Sequence, residues 1–280
     1  MKQEAAPAHE SIIALMQEAH HGETPSDVIR RKAKEVINKH RHLWKGPPFC
    51  PFALADLEGV IVEPAPCDIR SDGRIFPKGK DVYIQYNADQ SKERINFTIC
   101  HELAHTLFPD CYKRERRRTP AEKAEWEFEN LCNIAASEFL FPEEEFSFEI
   151  GSSPLGANQI ANIAARFGAS IDATARRVVH LSRLPACVIF AVYNEPKGKA
   201  VTSLSVQYAV AHPEFAHSIH PNLRINSKSV ANRAYAQQLP IGSSLENWYI
   251  RGKWARLRVE AIPLPKFESK ETAHLAILVY

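Results

Sequence analysis

The sequence predicts an α+β protein in three parts, an expectation carried by length, by texture and by charge. Its 280 residues are long for one core and short for three full-sized ones, which suggests two compact units and connecting elements. Helix and strand signals mix over the first half, two short helices follow, and from Cys187 the texture turns largely to strands. Charge divides the same way. Residues 1–150 hold 20 Lys+Arg against 26 Asp+Glu, 151–184 hold 4 against 1, and 185–280 hold 11 against 6. A net charge of +2 therefore conceals an acidic first part and a basic last one, and we divide the chain at 1–150, 151–184 and 185–280.

In order, "SIIALMQEAH" and "TPSDVIRRKAKEVINKH" predict two helices, the second opened by Thr24, Pro25, Ser26 and Asp27 in the pattern of a helix start. After the loop "GPPFCP", the runs "GVIVEPA", "GRIFPKG" and "DVYIQYN" predict a small sheet punctuated by Pro, Gly and Asp. Ile99, Leu103 and Leu107 recur at helical spacing, and Pro109 marks the end of that helix. Beyond a charged loop that includes Lys113 to Arg118, Thr119 as N-cap, Pro120 and Glu122 open a helix expected to run to Phe141, where Pro142 stops it. Two short helices meet at Gly168, with Ser170 capping the second. The last part offers four strands, "CVIFAVY", "VTSLSVQYAVA", "WARLRVEAIPLP" and "HLAILVY", and one helix near "SKSVANRAYAQQL".

Composition also excludes. The balance rules out a strongly basic nucleic-acid binder, and no apolar run approaches the roughly 20 residues that a membrane span needs. The start "MKQEAAPAHE" lacks a charged-then-apolar export signal, so a soluble cytoplasmic protein with no membrane partner is expected. The six cysteines are scattered without a C-x-x-C pair, so free thiols are expected.

The chemistry lies in His101-Glu102-Leu103-Ala104-His105. Two imidazoles four residues apart project from neighbouring turns of one helix face and can share a metal ion. Glu102 points about 100° round the helix, beside such an ion, where a carboxylate can take a proton from activated water. Catalytic zinc takes three protein ligands and keeps a position open, so a third ligand is needed. The helix after Thr119 offers Glu125, Glu127 and Glu129. Its buried stripe runs through Phe128, Cys132, Ala135, Ala136 and Phe139, which places Glu127 toward water and leaves Glu125 and Glu129 both on or beside the stripe. Periodicity does not separate these two.

The run from Val82 through "YNADQSKERINFTICHELAHTLF", followed by "ENLCNIAASEFLFP", resembles the ImmA/IrrE family of zinc-dependent peptidases. Asn87, Arg94, Phe97, Thr98, His101, Glu102 and His105 match the first part of its pattern, and Glu129, Asn133, Ala136, Leu140 and Pro142 the second. Cys100, Cys132 and Ala135 depart from it, and none of the three removes a ligand. The resemblance implies a small zincin-like metallopeptidase domain over 1–150, a helix-turn-helix-like connector over 151–184 and a GAF-like α/β sensor domain over 185–280. It selects Glu129 as third ligand beside His101 and His105, Glu102 as the catalytic base, and Asn133 as the group that orients a ligating imidazole. The implied cofactor is Zn2+, with Mn2+ as the alternative. The implied substrate is a helix-turn-helix repressor, cleaved to switch on stress-response genes such as those answering DNA damage.

Strand 81–87, expected at the sheet edge beside the metal helix, can hold an extended substrate by strand addition, which makes Tyr83, Tyr86 and Asn87 the substrate-binding candidates. Cys100 beside a ligand suggests either a redox switch or an inert buried thiol, and burial is the commoner fate. Thr174, Arg176 and Arg177 on the second helix of the connector stand available for DNA, against the plainer reading of a helical linker. Tyr193, Tyr208 and Trp248 stand available to line a pocket for a small effector, against the plainer reading of sheet core. The rival to the peptidase is a non-catalytic, metal-stabilised transcription regulator that binds DNA or a repressor.

Overall fold

The computed structural model describes residues 9–66, 71–111, 123–151, 155–194, 203–264 and 275–280. It divides into two compact units, one of Met1–Glu145 with Arg166–Ala169 and one of Phe146–Ala165 with Ser170–Tyr280.

The first unit opens with α1 (Glu10–Met16) and α2 (Pro25–His40), the latter started by a capping box between Thr24 and Asp27 with Pro25 in the first turn. A third helix, α3 (Pro51–Leu57), was not foreseen; it begins on Pro51 directly after the Pro-rich loop and lasts only two turns. Three strands follow, β1 (Val60–Pro64), β2 (Gly73–Lys78) and β3 (Asp81–Tyr86), in the spatial order β1-β3-β2. β1 runs parallel to β3, and β2 returns antiparallel to it through a tight turn in which Gly79 takes φ 69°. The expectation that strand 81–87 forms the sheet edge is overturned, because both sides of β3 are already hydrogen-bonded to neighbours.

Helix α4 (Lys92–Ala104) starts on Ser91, whose hydroxyl accepts from Arg94 N at 3.3 Å. Asp72, just ahead of β2, holds that first turn: its carboxylate pairs with the Arg94 guanidinium and accepts from Gln90 Nε2 at 3.2 Å. The helix packs on β2 and β3, and Ile99 and Leu103 of the helix and Ile75 and Ile84 of the strands are all buried. It ends at Ala104 rather than continuing to Pro109, and His105–Leu107 tighten into one 3-10 turn. Helix α5 (Lys123–Leu140) packs against α4 and buries the foreseen stripe of Phe128, Cys132, Ala135, Ala136 and Phe139. The cap at Thr119, Pro120 and Glu122 and the run Lys113 to Arg118 lie outside the described residues. After Pro142 comes α6 (Glu143–Gly151), also unforeseen.

In the second unit, α7 (Ala157–Phe167) and α8 (Ile171–Leu181) flank Gly168, which takes φ 63°, and Ser170 caps α8 by accepting from Ala173 N at 3.1 Å. The sheet comprises β4 (Cys187–Asn194), β5 (Ser203–Ala211), β6 (Ile241–Ile250), β7 (Lys253–Pro263) and β8 (Leu275–Val279), in the order β5-β4-β8-β7-β6, all antiparallel. Helix α9 (Val230–Gln237) covers one face, where Ile189, Leu204, Trp248, Leu257 and Ile277 join Val230 and Ala234 in the core. β6 was missed because its first residues, Ile241-Gly-Ser-Ser, carry little strand signal and one side of it faces water. β6 and β7 turn through Arg251 (φ 48°) and Gly252 (φ 82°), the pair of positive φ values that a two-residue hairpin requires.

Candidate metal centre

Helices α4 and α5 bring the three expected ligands together. His101, Glu102 and His105 are all buried, at 0%, 3% and 2% exposure, and one donor atom from each lies within 4.8 Å of the others. Glu129 reaches across from α5, with Oε2 3.1 Å from His101 Nε2 and Oε1 4.0 Å from His105 Nε2. Two ligand atoms on one tetrahedral zinc ion sit about 3.3 Å apart given metal–ligand bonds near 2 Å, so this spacing suits such an ion.

The far side of each ring shows the same logic. His101 Nδ1 lies 2.9 Å from Asn133 Oδ1, one turn beyond Glu129 on α5. A carboxamide oxygen only accepts, so Nδ1 donates to it and Nε2 is the nitrogen turned to Glu129. Nε2 and the Glu129 carboxylate thus converge closely enough to meet directly or to share one cation. The donor set therefore fits a divalent metal. His105 Nδ1 has Cys132 Sγ at 3.6 Å, and its ring packs against Phe128 with centroids 5.2 Å apart. Cys132, a departure from the family pattern, thus occupies for His105 the place that Asn133 occupies for His101. Its position three residues after Glu129 is the signal that sequence reasoning had and did not use.

Glu102 lies beside the pair, with Oε2 3.8 Å from His105 Nε2. A strand passes close beside it. A Cβ added to Gly73, the first residue of β2, would fall 2.5 Å from Thr98 Cγ2 and 3.2 Å from Glu102 Cγ. Only glycine lets β2 lie this close to α4. No pattern in the sequence singles Gly73 out.

The other candidates separate cleanly. Glu127 is exposed, as expected from its place on α5. Glu125 Oε2 meets His9 Nε2 at 3.3 Å, and the His9 ring stacks on Phe128. Tyr83 pairs across the sheet with Phe76, on the face away from α4, and the rings stack with centroids 5.8 Å apart. Tyr86 meets Phe52 edge-on at 5.6 Å, and Asn87 Oδ1 accepts from Asp89 N at 2.9 Å. With β3 internal, strand addition there has no free edge, and the basis for a substrate role of Tyr83, Tyr86 and Asn87 is gone. Cys100 is buried, and that burial pushes its thiol well above the usual range, which favours the inert buried thiol.

In the second unit, Thr174 and Arg177 are buried, and Arg176 is held by Asp172 and lies over the Tyr208 ring. These three are not a free DNA-reading row. Tyr208 donates to Asp172 Oδ1 at 2.8 Å and stacks on Phe190, whereas Tyr193 stacks on Tyr235. Of the three aromatics expected around a pocket, Trp248 alone lines the cavity at the β6 edge.

Residues 67–179 match the family model of the IrrE N-terminal-like domain, Peptidase_M78. The radiation response metalloprotease IrrE of Deinococcus deserti is 24% identical over 216 residues, which cover 74% of this chain and 75% of that one. Its namesake in Deinococcus radiodurans is 28% identical over 142 residues, 50% of this chain and 42% of that one. A solved structure of a Mycobacterium tuberculosis transcriptional regulator aligns with a TM-score of 0.58 at 15% identity, covering 96% of this chain and 78% of the other, a likeness of fold alone. The resemblance carried by the two motifs is thus shown over residues 67–179, which are similar to the IrrE N-terminal-like domain.

Proposed function

From its resemblance to the ImmA/IrrE family, we propose that this chain is a zinc-dependent, site-specific endopeptidase that cleaves a helix-turn-helix transcriptional repressor. The cut derepresses stress-response genes, those answering DNA damage among them. The observation that carries the reading is the convergence of His101 Nε2 and the Glu129 carboxylate, 3.1 Å apart, with the buried Glu102 carboxylate alongside.

Zinc bound by His101, His105 and Glu129, or manganese in its place, supplies Lewis-acid polarisation of an amide carbonyl and makes nearby water more acidic. The chain does the rest. Glu102 takes the proton from the attacking water and returns it to the departing amine nitrogen. Asn133 and Cys132 fix the two rings so that both Nε2 atoms point inward. Gly73 brings β2, the edge strand among the described residues, past Glu102, and that edge, rather than β3, takes the extended substrate by strand addition.

The proposal extends to a cytoplasmic protein with a peptidase domain over 1–150, a helix-turn-helix-like connector over 151–184 and a GAF-like sensory domain over 185–280 that takes a small effector. Support for the last is an antiparallel sheet with a single helix packed on one face. Among the described residues no helix is long and apolar enough to cross a membrane.

The test is incubation of the purified chain with purified helix-turn-helix repressors of its own organism and zinc or manganese, followed by fragment masses. One discrete cut is expected, and Glu102→Gln should keep its metal yet lose the cut. Fragments undiminished in Glu102→Gln would overturn the assignment of the base. No fragments with either metal would favour the non-catalytic regulator.

A further inference from the structure

The β6–β7 hairpin carries chemistry that the metal centre does not use. Its inner row, Trp248, Ile250, Ala255 and Leu257, belongs to the core under α9. Its outer row reads Leu245, Asn247 and Tyr249 on β6 opposite Arg258, Arg256 and Trp254 on β7, with no acid among them. Trp254 is 72% exposed, Tyr249 55%, and their rings sit 5.2 Å apart at 55°. Arg251 and Lys253 add two exposed cations at the tip. The next residue of the outer row on β7, Glu260, already accepts from Ala157 N at 2.8 Å and from Tyr280 Oη at 3.0 Å. The aromatic pair also forms one wall of a cavity of about 240 Å3 whose other walls include Arg224, Asn226 and Asn247.

We propose that this face and its cavity bind single-stranded nucleic acid. Exposed rings offer stacking platforms to any unpaired base, the carboxamide of Asn247 offers both donors and an acceptor to a base edge, and the cations follow the phosphates. From Trp254 to Arg258 the row runs about 13 Å along β7, a track that a polymer fills better than a lone mononucleotide does. Duplex is the poorer fit, because its bases stack on one another and leave the two rings without a partner. An anionic membrane is also the poorer fit, since the Arg256 and Arg258 pair lies down the strand and away from the tip. The inference stands apart from the proteolytic reading and does not depend on it.

Fluorescence anisotropy of the full chain with a fluorescein-labelled oligothymidine of about 15 nucleotides tests it, within the range of known site sizes. Saturable binding that weakens with salt is expected. Trp254→Ala should weaken it by roughly tenfold, Trp254→Phe should retain most of it, and Arg256→Ala with Arg258→Ala should lower the log–log salt slope by about 1.4. Absence of saturable binding at low salt overturns the proposal. So does equal binding by wild type and Trp254→Ala, equal affinity for a hairpin duplex of the same length, or a preference for phosphatidylserine vesicles over the oligonucleotide.

Discussion

The α4–α5 pair and the β6–β7 hairpin use polar and aromatic side chains in opposite ways. On α4 and the 3-10 turn that follows it, His101, Glu102 and His105 are turned inward and covered, although burying three such groups is costly unless something binds them. On the hairpin, Trp254 and Tyr249 are turned outward, although water is a poor neighbour for them. Each is a local departure from what stability alone favours, one by burying chemistry and the other by exposing it. The contrast teaches that the buried cluster gives up stability that a bound cation would return, whereas the hairpin gives up very little.

The largest expected effect separates the two. Stripping metal with a chelator and restoring zinc at a thousandfold excess over its dissociation constant should stabilise the first unit by about 4 kcal/mol. Calorimetry should show that unit's transition rise while the second unit's stays in place, and equal shifts would break the comparison. A medium effect sharpens the inward side. Gly73→Ala should cost about 1–3 kcal/mol through overpacking against Thr98. Thr98→Ser, which removes the clashing methyl, should recover most of that loss in the double variant, as read by denaturant melts on the metal-free chain. Additive losses would show that the contact does not control the approach of β2. The smallest effect belongs to the outward side, where Trp254→Ala should leave stability within about 0.5 kcal/mol of wild type. A loss beyond about 2 kcal/mol would make that ring part of the core.

The metal centre was legible because coordination forces a spacing on the chain. His101 and His105 stand one helical turn apart in the motif, whereas periodicity left Glu125 and Glu129 level and the family resemblance alone selected Glu129. Its support was less legible. Gly73 and Glu102 meet through a strand-to-helix contact between residues with no periodic relation, and Cys132 reads as an ordinary member of an apolar stripe. The position of β3 was misjudged for a similar reason: order along the chain does not dictate order across a sheet, and the parallel pairing of β1 with β3 put the third strand in the middle. α3 lacked the length for a periodic signal, and β6 lacked apolar alternation at its start. The hairpin's aromatic pair became visible only when register set Tyr249 opposite Trp254.

The stretch Arg166–Ala169 belongs with the first unit although the helices on either side belong with the second. Phe167 is fully buried there between Phe49 and Phe141, and Gly168 O accepts from Asn96 Nδ2 at 2.8 Å. During synthesis, then, the amino-terminal core waits for a late plug: a ribosome that has delivered all of α5 still has nearly thirty codons to read before the last aromatic ring arrives. Any fragment cut at the end of α6 leaves that socket empty.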